Sequence, residues 1–125
     1  GKAEYMFTVE NLREFLIQAS GDIAQAKEEL TRLDAQAGDG DLGVNMEAGF
    51  QAVADQFEKE RPETLQKAFL MAAMTINSVS PSTLGTMISV VFQSFSKDCE
   101  ERKEIDSEYF SVMLKNAAKK MMNLG

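Results

Sequence analysis

A chain of 125 residues that is 44% hydrophobic suits one domain with a modest core and is too apolar for general disorder. Thirteen basic residues against 20 acidic ones leave a formal charge of −7, which argues against a nucleic-acid partner or an anionic membrane surface. With no histidine and one cysteine, the chain excludes a Ser-His-Asp triad, a phosphohistidine, a His-ligated zinc and an intrachain disulfide. The lone thiol suits a reducing, cytoplasmic compartment; no apolar run reaches transmembrane length, and the first residues show no signal-peptide pattern.

Val9, Leu12, Leu16, Ala19, Ile23, Ala26, Leu30 and Leu33 recur at alternating steps of three and four, the spacing of a long amphipathic helix. Thr8 is its predicted N-cap, and Gly21-Asp22 is a predicted kink. The stripe is read as a core face that carries Asp34 to the mouth of a loop.

That loop, Leu33 to Met46, gathers Asp34, Asp39 and Asp41 with Gly38, Gly40 and Gly43. Glycine permits positive φ and close backbone approach, which a loop folding its carboxylates onto one centre needs. Three gathered carboxylates repel one another unless a cation neutralises them. An all-oxygen donor set favours Mg²⁺ over Zn²⁺, with Ca²⁺ and Mn²⁺ as alternatives. Gly38-x-Gly40-x-x-Gly43 matches a dinucleotide fingerprint literally, but a helical pattern precedes it where that fingerprint requires a strand. An EF-hand begun at Asp39 would place Val44 at its glycine position and Phe50 at its glutamate position. A P-loop would need a Gly-Lys-Ser/Thr step, and the loop holds no lysine. What remains is a helix-loop-helix carboxylate site, with a second helix starting near Asn45 and offering free backbone amides to an anion.

Met46, Phe50, Val53 and Phe57 stripe that second helix, which ends in a charged run before Pro62. Leu65, Phe69, Ala72 and Ile76 mark a third, with Met71 and Met74 as gap-fillers. Asn77 to Thr86, rich in Ser and Thr with Pro81 and Gly85, reads as a tight loop leading into a helix N-terminus; it suits a phosphate cradle and a plain Ser/Thr cap equally. Met87 to Phe95 is apolar on most sides and is expected to be the central, most stabilising helix. Lys97 to Asp106 is a charged linker containing Cys99, and Phe110, Met113, Ala117, Met121 and Leu124 share one face of a last helix. No β-hairpin signature, internal repeat or low-complexity tract is present.

Leu33-Asp34, then Gly38-Asp39-Gly40-Asp41-x-Gly43-x-Asn45-Met46, resembles the signature of the L subunit of dihydroxyacetone kinase, the DhaL or Dak2 domain. The likeness runs from about Val9 to Gly125 and matches the N-terminal half to two-thirds of that domain, read here as one domain shortened at its C-terminus. It implies an all-α, antiparallel bundle or barrel of five to six helices, in which Asp34, Asp39 and Asp41 hold two Mg²⁺ ions that bridge the phosphates of ADP or ATP. Leu42, Gly43, Val44 and Asn45 would meet the phosphates, with Ser80, Ser82 and Thr83 as further nucleotide contacts. No covalent nucleophile on this chain is required. The implied reaction transfers a phosphoryl group to a small ketone held on a K-type subunit, with a multiphosphoryl M protein (DhaM-like) as donor in one branch. A homodimer is a further expectation, because a shortened barrel leaves apolar faces uncovered. Leu42 where histidine is usual, Pro81 where glycine is usual, and the C-terminal part of the family pattern that is missing here favour a second reading as a catalytically silent, nucleotide-binding regulatory relative that docks on a partner protein.

Overall fold

The structure, a computed structural model, describes residues 6–36 and 40–123. Five helices follow one another: α1 (Val9–Ala35), α2 (Leu42–Glu60), α3 (Leu65–Val79), α4 (Thr83–Cys99) and α5 (Ser107–Met122). Each packs chiefly on its neighbours in sequence, so the all-α array has α1 and α5 at its two edges. No helix among the described residues is long and apolar enough to cross a membrane.

Local chemistry sets the boundaries. Thr8 and Asn11 form a reciprocal capping box at the start of α1, and Thr64, Ser82 and Asp106 cap α3, α4 and α5 by accepting from Lys67, Gly85 and Tyr109 amides. Arg61, left-handed at φ 46°, ends α2 just before Pro62. The predicted kink at Gly21-Asp22 is absent: α1 is continuous, since an exposed mid-helix glycine costs propensity without breaking the hydrogen-bond ladder. The expected Asn77–Thr86 interruption shrinks to residues 80–82, because α3 runs on to Val79 and α4 starts at Thr83.

The core is built from Leu12, Leu16, Val53, Phe57, Leu65, Phe69 and Ile76, closed by Phe95, Ile105 and Met113. Phe69 anchors it, with the Phe95 ring edge-on at 5.4 Å and Phe92 stacked at 6.1 Å. Two expectations fail here. The apolar stripe of α1 is buried only at Leu12 and Leu16, and Leu33 is 51% exposed, because the C-terminal half of this edge helix has α2 alone beside it. The most buried helix is α3 rather than α4. The buried face of α4 is largely small, with Ser89 donating to the Ala73 carbonyl at 2.9 Å and Ser96 to the Gln66 carbonyl at 2.7 Å, while Val90, Val91 and Phe92 are half-buried. Small residues let α4 lie close against α3, so the large apolar side chains stand at the flanks.

The linker after α4 is also more ordered than its charge suggests. Cys99 is fully buried as the last residue of α4, and β2 (Glu104–Ile105) pairs antiparallel with β1 (Phe7–Thr8), Phe7 opposite Ile105. This two-stranded contact ties the start of α1 to the start of α5. Tyr109 reinforces that end: its hydroxyl donates to the Asp98 carbonyl, and the Arg102 guanidinium lies 3.8 Å over its ring. Between the two edge helices runs a cleft of about 680 Å³ lined by Leu12, Phe15, Phe69, Phe92, Phe95 and Phe110.

Candidate functional site

Antiparallel packing puts the end of α1, the start of α2, the end of α3 and the start of α4 at one end of the array, opposite the β1–β2 pair. The carboxylate loop therefore lies at the same end as Ser80–Thr83.

At the α1–α2 turn, Asp34 still belongs to α1, and its Oδ2 accepts the Asp41 amide at 3.1 Å and the Leu42 amide at 3.3 Å. A carboxylate is favoured there by the positive end of the α2 dipole. This capture starts α2 at Leu42, three residues earlier than the periodicity indicates. Asp41 occupies the N-cap position but makes no side-chain capping bond. The Asn45 amide closes the first turn on the Asp41 carbonyl at 2.9 Å, and the Gly43 and Val44 amides meet no acceptor among the described residues. The turn into this helix uses Gly40 at φ +75°, a conformation that a side chain would strain. Asp39 and Gly38 lie outside the described residues.

Gly43 faces inward. A Cβ there would collide with the Lys27 carbonyl and stand 2.5 Å from Thr31 Oγ1, so glycine lets the first turn of α2 lie directly on α1. The Lys27–Glu47 ion pair, 3.1 Å, spans the two helices beside that contact. Thr31 and Lys27 were not singled out from the sequence. Their signal was available in the one-heptad step from Lys27 to Asp34, which places both on one side of α1.

Ser80 ends α3 and is fully buried, its amide donating to the Ile76 carbonyl at 2.8 Å and its Oγ without a partner among the described residues. It lies between two helices, with a Cβ built on Gly49 of α2 falling 3.3 Å from its own Cβ, and one on Gly85 of α4 falling 3.1 Å from its Oγ. Because Gly49 is about two turns along α2 from Leu42, Ser80 lies roughly 10 Å below the carboxylate loop. Ser82 serves as the α4 cap, its Oγ accepting the Gly85 amide at 3.0 Å, and Thr83 is exposed in the first turn. The structure thus joins Asp34, Asp41, Leu42, Gly43 and Val44 in one turn, leaves Asn45 half-buried in the first turn of α2, and sets the serine group behind them.

As a cation site, the turn offers oxygen donors only, and the hydrogen bond from Asp41 to Asp34 brings two of the three carboxylate residues together, which fits a hard ion such as Mg²⁺. The described residues alone form no cluster of three ligating side chains, Asp39 being outside them.

A DAK2 domain family model matches residues 36–125, taking in Asp39 and Asp41 of the carboxylate loop and beginning just after Asp34. The chain belongs to the DAK2 domain family. This DAK2 domain is 31% identical over 86 residues to the ADP-binding subunit DhaL of PEP-dependent dihydroxyacetone kinase 1 from Listeria innocua, covering 69% of the chain and 43% of that protein. It is 29% identical over 96 residues to the ADP-binding subunit DhaL of the PTS-dependent dihydroxyacetone kinase from Lactococcus lactis, 77% of the chain and 50% of that subunit. With dihydroxyacetone kinase 1 from Saccharomyces cerevisiae it shares 24% identity over 122 residues, 90% of the chain and 21% of the yeast protein. The chain therefore spans between a fifth and a half of the length of these relatives.

Proposed function

We propose that this DAK2 domain is the nucleotide-binding part of a dihydroxyacetone-kinase-type phosphotransferase. The observation that carries the reading is the start of α2, where the Gly43 and Val44 amides have no acceptor among the described residues and Asp34 and Asp41 flank them. Backbone amides at a helix N-terminus bind phosphate, and carboxylates placed beside them suit a phosphate that arrives with its cation. In this reading ADP or ATP sets its phosphates on the Gly43 and Val44 amides with Asn45 alongside, and Asp34, Asp39 and Asp41 hold Mg²⁺, two ions by the family resemblance. When bound, the cation neutralises charge on the β- and γ-phosphate oxygens. Ser82 and Thr83 border the nucleotide from the start of α4, and Ser80 supports them from below.

The chain's own contribution is positioning and charge complementarity, with no covalent nucleophile. The phosphoryl acceptor is a small ketone of triose type, held on a K-type partner subunit, and a DhaM-like protein is the donor where bound ADP is recharged in place. The 1–125 span acts as a single cytoplasmic domain. Isothermal titration of ADP with Mg²⁺, and again with EDTA, tests the reading. Binding only with Mg²⁺, lost in Asp39→Ala with helicity unchanged, is expected; undiminished binding by Asp39→Ala, or none by the folded unsubstituted chain, refutes it.

Leu42 favours a second reading, a regulatory relative that binds nucleotide without turnover. Its side chain leaves an apolar group in the first turn of α2 where the kinase pattern has histidine. Mixing the protein with a K-type subunit and a phosphoryl donor separates the two: ketone phosphorylation supports the kinase, and binding without turnover supports the regulator.

A further inference from the structure

The polar contacts from α1 to α2 fall at Arg13, Ser20, Lys27 and Asp34, one every seven residues. Their partners run backwards along α2: Glu58, then Gln51 at 3.3 Å, Glu47 at 3.1 Å, and finally the Asp41 and Leu42 amides. Seven residues are close to two helical turns, so the four positions form one stripe and lock the two helices in a single antiparallel register. The first three join side chain to side chain. The fourth joins a side chain to the backbone of a helix end, so the stripe terminates on the turn that the proposed function uses.

We propose that Asp34 is the positioning residue of this site. Its Oδ2 fixes the first turn of α2 before any ligand arrives, supplying from α1 the cap that Asp41 does not make. The ordering cost of the first turn of α2 is then met during folding and not during binding. Resting on the nucleotide reading above, two consequences follow. Phosphate goes to the next amides, Gly43 and Val44, because those of Asp41 and Leu42 are already taken. Asp34 offers a cation only its second oxygen, as a one-oxygen ligand.

Amide hydrogen exchange measured by NMR on the metal-free, nucleotide-free protein tests the cap. Asp34→Ala is expected to speed exchange at Asp41 and Leu42 by about fivefold to tenfold, corrected for intrinsic rates, as loss of a helix cap would. Amides in the middle of α3 stay unchanged, which distinguishes a local effect from general destabilisation. Asp34→Asn keeps an acceptor and is expected to restore most of the protection, whereas Asp41→Ala leaves the Leu42 amide as it is. Unaltered exchange at both amides in Asp34→Ala overturns the proposal, whether or not the protein binds nucleotide. If Asp34→Ala does not fold, the Asp34→Asn spectrum decides: upfield movement of both amide protons supports the cap, and unmoved resonances overturn it. On adding Mg·ADP to the unsubstituted protein, shifts at Gly43 and Val44 with Asp41 and Leu42 still protected support the division of labour. Loss of protection at Asp41 and Leu42 on binding means that phosphate displaces Asp34 and overturns it. Failure of ADP to bind refutes the nucleotide reading alone, since the metal-free exchange result stands independently.

Discussion

The same substitution, glycine to alanine, is expected to change sign along this chain. Gly21 lies exposed in the middle of α1, and a Cβ there would meet nothing within 4 Å. Alanine removes backbone freedom from the unfolded chain and should stabilise by about 0.5–1 kcal/mol. Gly43 carries the same propensity gain, but its Cβ would run into the Lys27 carbonyl and sit 2.5 Å from Thr31 Oγ1. Neither obstacle is the free end of a long side chain: one is helix backbone and the other belongs to a stiff β-branched residue. Overpacking onto helix backbone at 2.2 Å lies in the upper part of the usual range, about 2–3 kcal/mol, so after the propensity gain the net effect is a loss of roughly 1–2.5 kcal/mol. Gly85 should follow Gly43, because its Cβ would strike the Ser80 carbonyl. Urea denaturation of the three variants measures the differences directly, and each kcal/mol corresponds to roughly 3–6 °C in thermal midpoint for a domain of this size. The relief available to Gly43→Ala is to lift the first turn of α2 off α1, which draws the Asp41 and Leu42 amides away from Asp34. Gly43→Ala should therefore weaken Mg·ADP binding as well. A Gly43→Ala protein as stable as the unsubstituted one would refute the close approach of the two helices.

Glu100 holds φ 44° and ψ −116° as a non-glycine residue after α4, so Glu100→Gly should stabilise by about 1 kcal/mol in urea titrations. Burial pushes the Cys99 thiol up to about 11, with Asp98 adding to the shift. Below pH 9 the thiol is neutral in both states; between pH 9 and 11 the unfolded chain ionises first, so stability should fall across that window by up to about 3 kcal/mol, a loss that Cys99→Ala removes. The same thiol should react with an aromatic disulfide reagent at neutral pH only as fast as the chain opens. Ser80→Ala removes a buried hydroxyl that has no partner among the described residues, and should leave stability equal or raise it by up to about 1 kcal/mol while weakening nucleotide binding. A clear loss of stability would show that the hydroxyl is satisfied in solution.

Much of this was legible in the chain itself. Helix number and order follow from periodicity, the first cap from Thr8 and the end of α2 from Pro62, whereas the caps Thr64, Ser82 and Asp106 were not singled out; the carboxylate loop stands out because glycine alternates with aspartate. What periodicity misjudged was depth. It counts an apolar position as buried wherever a stripe exists, whereas Leu33 is half-exposed on an edge helix and Ser89 and Ser96 are buried in a close α3–α4 contact. Apolar pattern reports which face points inward; how far inward depends on which neighbours arrive. The role of Gly43 was hidden for a related reason. As a loop glycine it suggested phosphate approach, and its contacts with Lys27 and Thr31 appear only once α1 and α2 are set in register. The β1–β2 pair joins residues nearly 100 positions apart through strands of two residues each, too short for any alternation to show.

The proposed site adds a buried hydroxyl, unpartnered among the described residues, to the free amides that every helix N-terminus offers. At the β1–β2 end, several side-chain polar groups are tied: Tyr109 to Asp98, Asn116 to Asp98 at 3.0 Å, and Arg13 to Glu10 and Glu58. The buried Arg13 Nε lacks a partner there, but its guanidinium is already bound through both other nitrogens. At the loop end, the Ser80 hydroxyl finds none among the described residues, and the Gly43 and Val44 amides are free as the first amides of α1, α3 and α5 are. Native proteins satisfy buried polar groups almost everywhere, so the unmet Ser80 hydroxyl costs stability that folding alone does not recover. Ser80 is fully buried about two turns below the Gly43 and Val44 amides, so it acts on binding through the start of α4 that it supports. If that support matters, Mg·ADP should raise the thermal midpoint of the unsubstituted protein more than that of Ser80→Ala. Equal shifts in the two proteins would show that this support does not reach the nucleotide and confine the site to the first turn of α2.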